Sequence, residues 1–380
     1  MRIGVDARHL RDHRSGIWRY TYHLLDTLGR IDPANEYVLL YTQGLFRNRT
    51  PLVHFRHPNI TSAGWHPPQW LLTSATMFRR LNPIPIELLI GRVDLFHAPN
   101  FILLPQREGK RVITIHDLSF LLFPQFHRRG TIAFMQREVH RSASIADVII
   151  VHSESTKADV LRLLGPLDQK IRVIPLAAGD QFRPIPVEEV TPILERYRLT
   201  YGRYLLFVGN LEPRKNILRL LEAYKLLRLR AHQQHPLVLA YASSWLNGPV
   251  AKMIDELRLQ GEVRLLGYVP ESELPYLING AAILVYPSLY EGFGIPPLEG
   301  MACGVPVVTS TSSSLPEVVG DAAICVDPLS HEAIAEAIQA VLSSKALRSD
   351  LREKGLQRAK QFSWERTARE TLRVYENVAR

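Results

Sequence analysis

Two cysteines in 380 residues leave no room for a disulfide framework, and no Cys/His spacing matches a zinc site. Cys303 and Cys325 lie in apolar stretches of the second half, which suits reduced core thiols. Long apolar runs are missing as well: none approaches the ~20 residues that a bilayer span requires. Met1 to Asp6 enters a strand directly, with no apolar leader ahead of it, so the expected compartment is the cytosol. Internal repeats and low-complexity tracts are absent, which excludes solenoids and arrays. Acidic residues are scarce in one half only. Residues 1–180 carry 23 Lys and Arg against 15 Asp and Glu, a net +8, whereas residues 181–380 carry 23 and 22, a net +1. Such asymmetry points to an anionic partner. No DNA- or RNA-binding motif accompanies it, so the expectation is an anionic membrane surface and not nucleic acid. A plain solvated basic face stays open as the alternative.

What is present is a chain long enough for two or three domains, with 46% hydrophobic residues to fill their cores. Strands are expected at Arg2–Ala7, Tyr37–Tyr41, Val53–Arg56, Asp94–Ala98, Val112–His116, Val148–His152 and Ile171–Leu176. Helical stretches lie between several of them, from Gly16 to about Ile31, Arg128 to Ala143 and Ser153 to Leu164, with Ser153 as a helix cap. This alternation predicts a parallel sheet covered by helices. Between Gly179 and Gly202 the prolines Pro184, Pro186 and Pro192 mark a boundary. A second unit of the same kind follows, with strands near Leu205, Leu237, Val263, Ile283, Val307 and Ala323. An amphipathic helix from about Trp364 to Ala379 comes after it. The domains are therefore read as 1–180, a linker at 181–202, and 203–363.

The richest stretch runs from Tyr286 to Gly304. The apolar run Ala281–Tyr286 reads as a buried strand, and Gly292 and Gly294 then permit a sharp loop close to a ligand. Pro297 suits the first position of a helix, which would put Glu299 in its first turn. Glu291 and Glu299 are eight residues apart; on one straight helix they would be ~12 Å from each other. A strand-to-helix turn instead folds both toward one ligand, at the place where open α/β sheets bind ligands. Upstream, the strand Tyr204–Val208 leads into Gly209-Asn210-Leu211-Glu212-Pro213-Arg214-Lys215-Asn216 and a helix from Ile217. Arg214 and Lys215 thus stand before a helix N-terminus, where N–H groups and two full charges favour a phosphate. A diphosphate on the basic pair and hydroxyls on the acidic pair together describe a nucleotide sugar.

Pro287 to Gly294 with Glu299, and Glu212-Pro213-Arg214-Lys215-Asn216, resemble the retaining glycosyltransferases of family 4, whose signature is Glu-x7-Glu. The likeness extends to Ser310–Val318, Ser15-Gly16-Ile17 and Thr114-Ile115-His116-Asp117. Within that family the chain looks most like bacterial mannosyltransferases of surface-polysaccharide assembly. The resemblance implies an α/β protein of GT-B fold: two doubly wound Rossmann-like domains facing each other across a cleft, the helix at 364–380 packing back on the first. It implies transfer of a hexose, mannose first, from a nucleotide-diphosphate sugar to a hydroxyl of a glycan or lipid-linked acceptor. Arg214, Lys215, Glu291 and His116 are then the catalytic candidates. Gly16, Glu291, Gly292, Phe293, Gly294, Ile295 and Glu299 are the donor-binding ones. GDP-mannose is the first donor, with UDP-glucose, dTDP-rhamnose and GDP-rhamnose not excluded. The chain lacks Asp-x-Asp, the mark of Mn2+-dependent transferases, so neither a metal nor another cofactor is expected. The enzyme is expected in the cytoplasm, peripheral on the inner face of a membrane.

Other readings compete at each point. Gly16 is equally a turn residue, and His116 a satisfied structural histidine at a strand end. His127, Arg128 and Arg129 precede a helix and are candidates for phosphate or acceptor contact. Gly267-Tyr268-Val269-Pro270 is a strand-end loop that the family uses near the nucleotide base. Trp65, Trp70, Met77, Phe78, Arg79 and Arg80 suit an acceptor-docking surface or an ordinary core helix. A glycoside hydrolase would use two carboxylates but needs no diphosphate grip. A dinucleotide oxidoreductase would need Gly-x-Gly-x-x-Gly after an early strand. A basic nucleic-acid binder, or another non-catalytic nucleotide-binding α/β protein, remains the non-enzyme alternative.

Overall fold

The computed structural model describes residues 1–11, 15–41, 53–63, 84–127, 129–231, 234–242 and 247–380. The chain divides into two compact α/β units, Met1–Leu176 with Trp364–Arg380, and Ala177–Ser363. The first holds a seven-stranded parallel sheet of β1 (Arg2–Asp6), β2 (Glu36–Leu40), β3 (Ile60–Ser62), β4 (Leu95–Ala98), β5 (Lys110–Thr114), β6 (Val148–Val151) and β7 (Ile171–Val173). Its order is β3-β2-β1-β4-β5-β6-β7. Parallel neighbours need crossover connections, and the helices Gly16–Ile31, Arg129–Ile145 and Glu154–Leu164 supply three of them. Helices on the faces bury the strands on both sides, which is why they read as apolar runs without alternation. Phe96, Ile113, Ile149 and Val151 lie in one buried core.

The second unit holds β8 (Leu205–Val208), β9 (Leu237–Ala240), β10 (Val263–Gly267), β11 (Ile283–Tyr286), β12 (Val307–Ser310) and β13 (Ile324–Val326), all parallel in the order β10-β9-β8-β11-β12-β13. In each sheet the strand order reverses direction once, between β1 and β4 and between β8 and β11. Loops leaving the carboxyl ends of those strands diverge, and the opening between them is where such sheets take ligands.

Caps sit where the sequence places them. Ser15 Oγ accepts the Trp18 N–H at 3.1 Å, and Ser153 Oγ accepts the Thr156 N–H at 3.0 Å. The helix Trp364–Ala379 buries Trp364, Thr367, Ala368, Thr371, Val374 and Tyr375, a stripe at three- and four-residue spacing. It belongs to the first unit and packs on the helix Gly16–Ile31. Thr367 Oγ1 donates to the Pro175 carbonyl at 2.7 Å, and Tyr375 Oη meets His97 Nδ1 at 2.6 Å.

Three expectations change. Val53–Arg56 is not a strand; the edge place beside β2 is taken by Ile60–Ser62, in register with Tyr37–Leu39. The alternation of Val53-His54-Phe55 imitates a strand, but the turn at Pro58 and Asn59 delays pairing. The stretch 181–202 belongs to the second unit and contains the helix Val187–Arg196. Asn279 ties that stretch down, accepting the Ile185 N–H at 2.9 Å and donating to the Arg183 carbonyl at 2.9 Å. Finally, the helix after β11 starts at Ile295, capped by Gly294, so Glu299 falls in its second turn. Pro296 and Pro297 both fit inside the first turn, where no N–H is needed. Trp65, Trp70, Met77, Phe78, Arg79, Arg80 and Arg128 lie outside the described residues.

Candidate active site

In the second unit, the loop after β8 closes as a short 3-10 turn, Pro213–Lys215. Asn216 adopts the left-handed conformation (φ 61°) before the helix Ile217–Ala231 begins. Its Nδ2 donates to the carbonyls of Pro287 at 3.1 Å and Pro328 at 2.6 Å, and so joins this turn to the loop after β11. Leu289 N–H donates to the Arg214 carbonyl at 2.8 Å, and Arg214 Nη1 donates to the Tyr290 carbonyl at 2.9 Å. The two loops at the strand reversal are therefore laced together by main chain and side chain.

That lacing brings Arg214, Lys215 and Glu291 onto one point. Arg214 Nη1 stands 2.8 Å from Glu291 Oε2, and Lys215 Nζ 2.6 Å from Glu291 Oε1. Two neutral donors converge on Oε1 as well: Ser288 Oγ at 2.6 Å and Tyr286 Oη at 3.0 Å. Tyr286 Oη also accepts from Lys215 Nζ at 2.6 Å. Burial would raise the Glu291 carboxyl, but the charges of Arg214 and Lys215 and the hydrogen bonds from Lys215 and Ser288 hold it at about 2. Burial and the Arg214 charge lower Lys215 from its ordinary value, against the pull of Glu291 and Glu212. Burial, with Glu291 adding to it, pushes the Tyr286 phenol far up, so it stays a donor. Glu291 is fixed from its main chain too, since its N–H reaches Ser313 Oγ at 2.8 Å and its carbonyl accepts from Ser314 Oγ at 2.9 Å.

Gly294 follows at φ 109°, and a Cβ there would lie 2.7 Å from Leu315 Cδ2. Only glycine fits that backbone and that space. The Phe293 ring is buried, edge-on to Phe362 at 5.8 Å, so what this residue offers a ligand is its main chain. Glu299 is buried on the helix Ile295–Ala302, the same element that Gly294 caps. Tyr286, Ser288, Ser313 and Ser314 are the residues that motif reading did not assign. The run Ser310–Ser314 was visible as part of the family likeness, but the reach of its hydroxyls across to Glu291 was not. The loop Gly267–Pro270 follows β10, with Tyr268 exposed.

The first unit holds Gly16 and His116. Gly16 opens its helix with no atom within 4 Å of where a Cβ would stand, so the backbone there is open to approach. One turn on, Tyr20 sets its ring edge-on to His116 at 5.1 Å. His116 Nε2 lies 2.7 Å from the Pro99 carbonyl, and burial lowers its imidazole to about 4. Arg8 pairs with Asp6 at 2.6 Å, and His9 Nε2 stands 2.8 Å from Asn100 Nδ2. Among the described residues no three His, Cys, Asp or Glu are grouped to hold a metal ion.

Known proteins share the sequence pattern and the fold of this chain. Residues 14–178 match the profile described as Glycosyltransferase Family 4, and residues 198–358 match Glycosyl transferases group 1. An O-antigen chain mannosyltransferase B of Escherichia coli is 39% identical over 281 residues, which cover 74% of each chain. The chain belongs to the family 4 glycosyltransferases. A serotype-specific mannosyltransferase WbdA of the same organism is 30% identical over 265 residues, 68% of this chain but only 32% of that longer protein. Among solved structures, a sucrose-phosphate synthase of Thermosynechococcus elongatus aligns over 100% of this chain and 99% of its own, with a TM-score of 0.78 at 21% identity. WaaG, a glycosyltransferase involved in lipopolysaccharide biosynthesis, aligns over 98% and 99% with a TM-score of 0.71 at 13% identity. Both place the fold in the GT-B class. Like them, this glycosyltransferase is built on two parallel-sheet α/β units. Among its described residues, no helix is long and apolar enough to cross a membrane.

Proposed function

We propose that this glycosyltransferase moves a mannosyl unit from a nucleotide-diphosphate mannose, GDP-mannose first, to a hydroxyl of a bacterial surface polysaccharide or its lipid-linked precursor. The sugar is argued from the 39% identity to an O-antigen mannosyltransferase. One observation carries the donor class: two cations, Arg214 and Lys215, converge on one buried carboxylate where the strand order of the second sheet reverses. In the reaction the bond from the anomeric carbon to the β-phosphate oxygen breaks, and its electron pair leaves on that oxygen. The acceptor oxygen bonds to the anomeric carbon, and its proton passes to a departing phosphate oxygen. Fixed cations aimed at the growing charge lower the barrier, and a site screened from water makes them more effective. Arg214 and Lys215 fill that role in place of a metal. When the diphosphate occupies them, Glu291 is released to hold sugar hydroxyls and orient the anomeric carbon. Glu299 is assigned to the ribose hydroxyls, and Gly16 and His116 to donor and sugar contact, by the family likeness. Retention of configuration rests on the same likeness.

A thermal-shift panel of nucleotides and nucleotide sugars, followed by calorimetry, tests this. GDP and GDP-mannose are expected to raise the melting temperature by mass action. Arg214→Ala and Glu299→Ala are each expected to remove binding while leaving the fold intact. Donor affinity unchanged in both variants rejects the assignment of this site.

A further inference from the structure

The proposed chemistry uses one imidazole of the first unit, His116, and leaves without a role the second imidazole that stands against it. His152 is buried, and its Nε2 lies 3.0 Å from His116 Nδ1. The ring centroids are 5.0 Å apart at 35°. The two outer nitrogens face main-chain carbonyls: His116 Nε2 meets the Pro99 oxygen at 2.7 Å, and His152 Nδ1 meets the Ile174 oxygen at 3.0 Å. A carbonyl oxygen only accepts, so each of these nitrogens must carry a hydrogen. A neutral imidazole has one N–H and one lone pair. With both hydrogens placed outward, the facing nitrogens are left as two lone pairs in contact, which repel. One additional proton between them turns that contact into a charge-assisted hydrogen bond.

We propose that His116 and His152 share one extra proton, and that His152 thereby positions His116 for the transfer reaction; the second half of this rests on the proposed function, the first does not. With the proton in place, both rings keep their carbonyls and His116 is held from both sides. Without it, one ring must release its carbonyl and turn. The pair therefore gains and loses its proton as a unit and not as two independent groups.

The surroundings bear on the charge from several elements. Tyr20, from the first helix, sets its ring edge-on to both imidazoles, at 5.1 and 4.9 Å, and Phe101 does the same to His116 at 5.7 Å. Asp117 favours a proton on His116, while His9 opposes it, and His97 opposes one on His152. Asp6 and its partner Arg8 act on His9. Tyr20 Oη is engaged with Thr114 Oγ1 at 3.0 Å, and Thr114 Oγ1 with His97 Nε2 at 2.8 Å. Tyr375 Oη is engaged with His97 Nδ1. Burial works against the charge and pushes both rings below the ordinary imidazole range. The two fixed carbonyls and the facing lone pairs work for it, and these contacts leave no neutral arrangement that satisfies all four nitrogens.

Ring-nitrogen NMR of the full chain labelled with 15N-histidine, titrated from about pH 3 to about pH 9, reads the pair directly. The expected result is a proton on the facing nitrogens, lost from both rings in a single step, and no such step in His152→Phe. Two neutral rings with no proton between them across the whole range overturn the shared proton. For the positioning role, His152→Phe is expected to lower kcat about tenfold with donor KM within about twofold, and to shift the pH limb of kcat/KM. His152→Gln, whose amide can donate to His116 Nδ1 without an extra proton, is expected to restore much of the rate and flatten that limb. A wild-type pH profile in His152→Phe, with loss of rate only in proportion to loss of folded protein, overturns it. If the wild-type chain transfers no sugar from any donor, the proposed function fails, and the ring spectra still decide the shared proton.

Discussion

Glu291 ties the two catalytic candidates Arg214 and Lys215 to one place, and its own charge state follows from them. Its carboxyl lies at about 2, below the ordinary value of 4.5. A depressed carboxylate stabilises the folded state fully above its unfolded value, and that stabilisation is lost as the pH falls from about 4.5 toward about 2. The shift corresponds to roughly 3 kcal/mol. Glu291→Gln should therefore lose about 3 kcal/mol at neutral pH, because the buried Lys215 and the half-buried Arg214 are left without their carboxylate. It should also lose the acid limb of the unfolding curve between those two pH values. Denaturant unfolding at a series of pH values checks both, and an unchanged acid limb would show that another group carries it. GDP should recover part of the deficit, since its diphosphate supplies the missing negative charge.

Elements show why some of this was legible in the chain and some was not. The helices Gly16–Ile31 and Trp364–Ala379 follow from a cap or an aromatic start and a steady apolar stripe, so their limits read directly from the residues. Strands buried on both faces announce themselves as apolar runs in the same way. The helix at Ile295 does not, because two adjacent prolines give two acceptable starting points and the left-handed turn at Gly294 settles between them. Likewise a proline-dotted stretch reads as linker although Val190 and Leu194, both buried, hold Val187–Arg196 in a helix with Pro192 inside it. The grip on Glu291 joins residues 76 and 77 positions apart, which local pattern cannot reveal. Two glycines make a test at this scale. Gly294→Ala must strain a left-handed backbone and push Leu315, at a cost of about 1–3 kcal/mol seen as a lower melting temperature. Gly16→Ala meets open space, so stability should change by less than about 0.5 kcal/mol while donor KM rises. Equal melting losses in the two variants would contradict this contrast.

At the scale of the molecule, the chain leaves the first unit at Leu176 and returns to it at Trp364. Trp364 stacks on His23 at 4.9 Å, Thr367 reaches the Pro175 carbonyl, and Tyr375 satisfies the buried His97. Each unit has its own core, so calorimetry should resolve two transitions. Deleting 364–380 should abolish the first unit's transition and spare that of the second, together with its response to GDP. Tyr375→Phe should lower only the first, by about 1–3 kcal/mol, because His97 Nδ1 is then unpartnered. Charge is a further property of the whole. With a net +8 in residues 1–180, binding to vesicles containing anionic lipid is expected at low salt and should be lost in about 0.5 M salt. Sedimentation with neutral vesicles as the control checks it, and equal binding to both would refute an electrostatic origin.

The return of residues 364–379 to the first unit has a consequence for synthesis. On the ribosome, the nascent first half must wait with an open seat beside His97 and Pro175 while some 190 further residues are made, of the order of ten to forty seconds at ordinary elongation rates. The middle of this polypeptide can thus mature before its beginning. A released product ending at Ser363 should be protease-resistant in its second unit and still sensitive in its first.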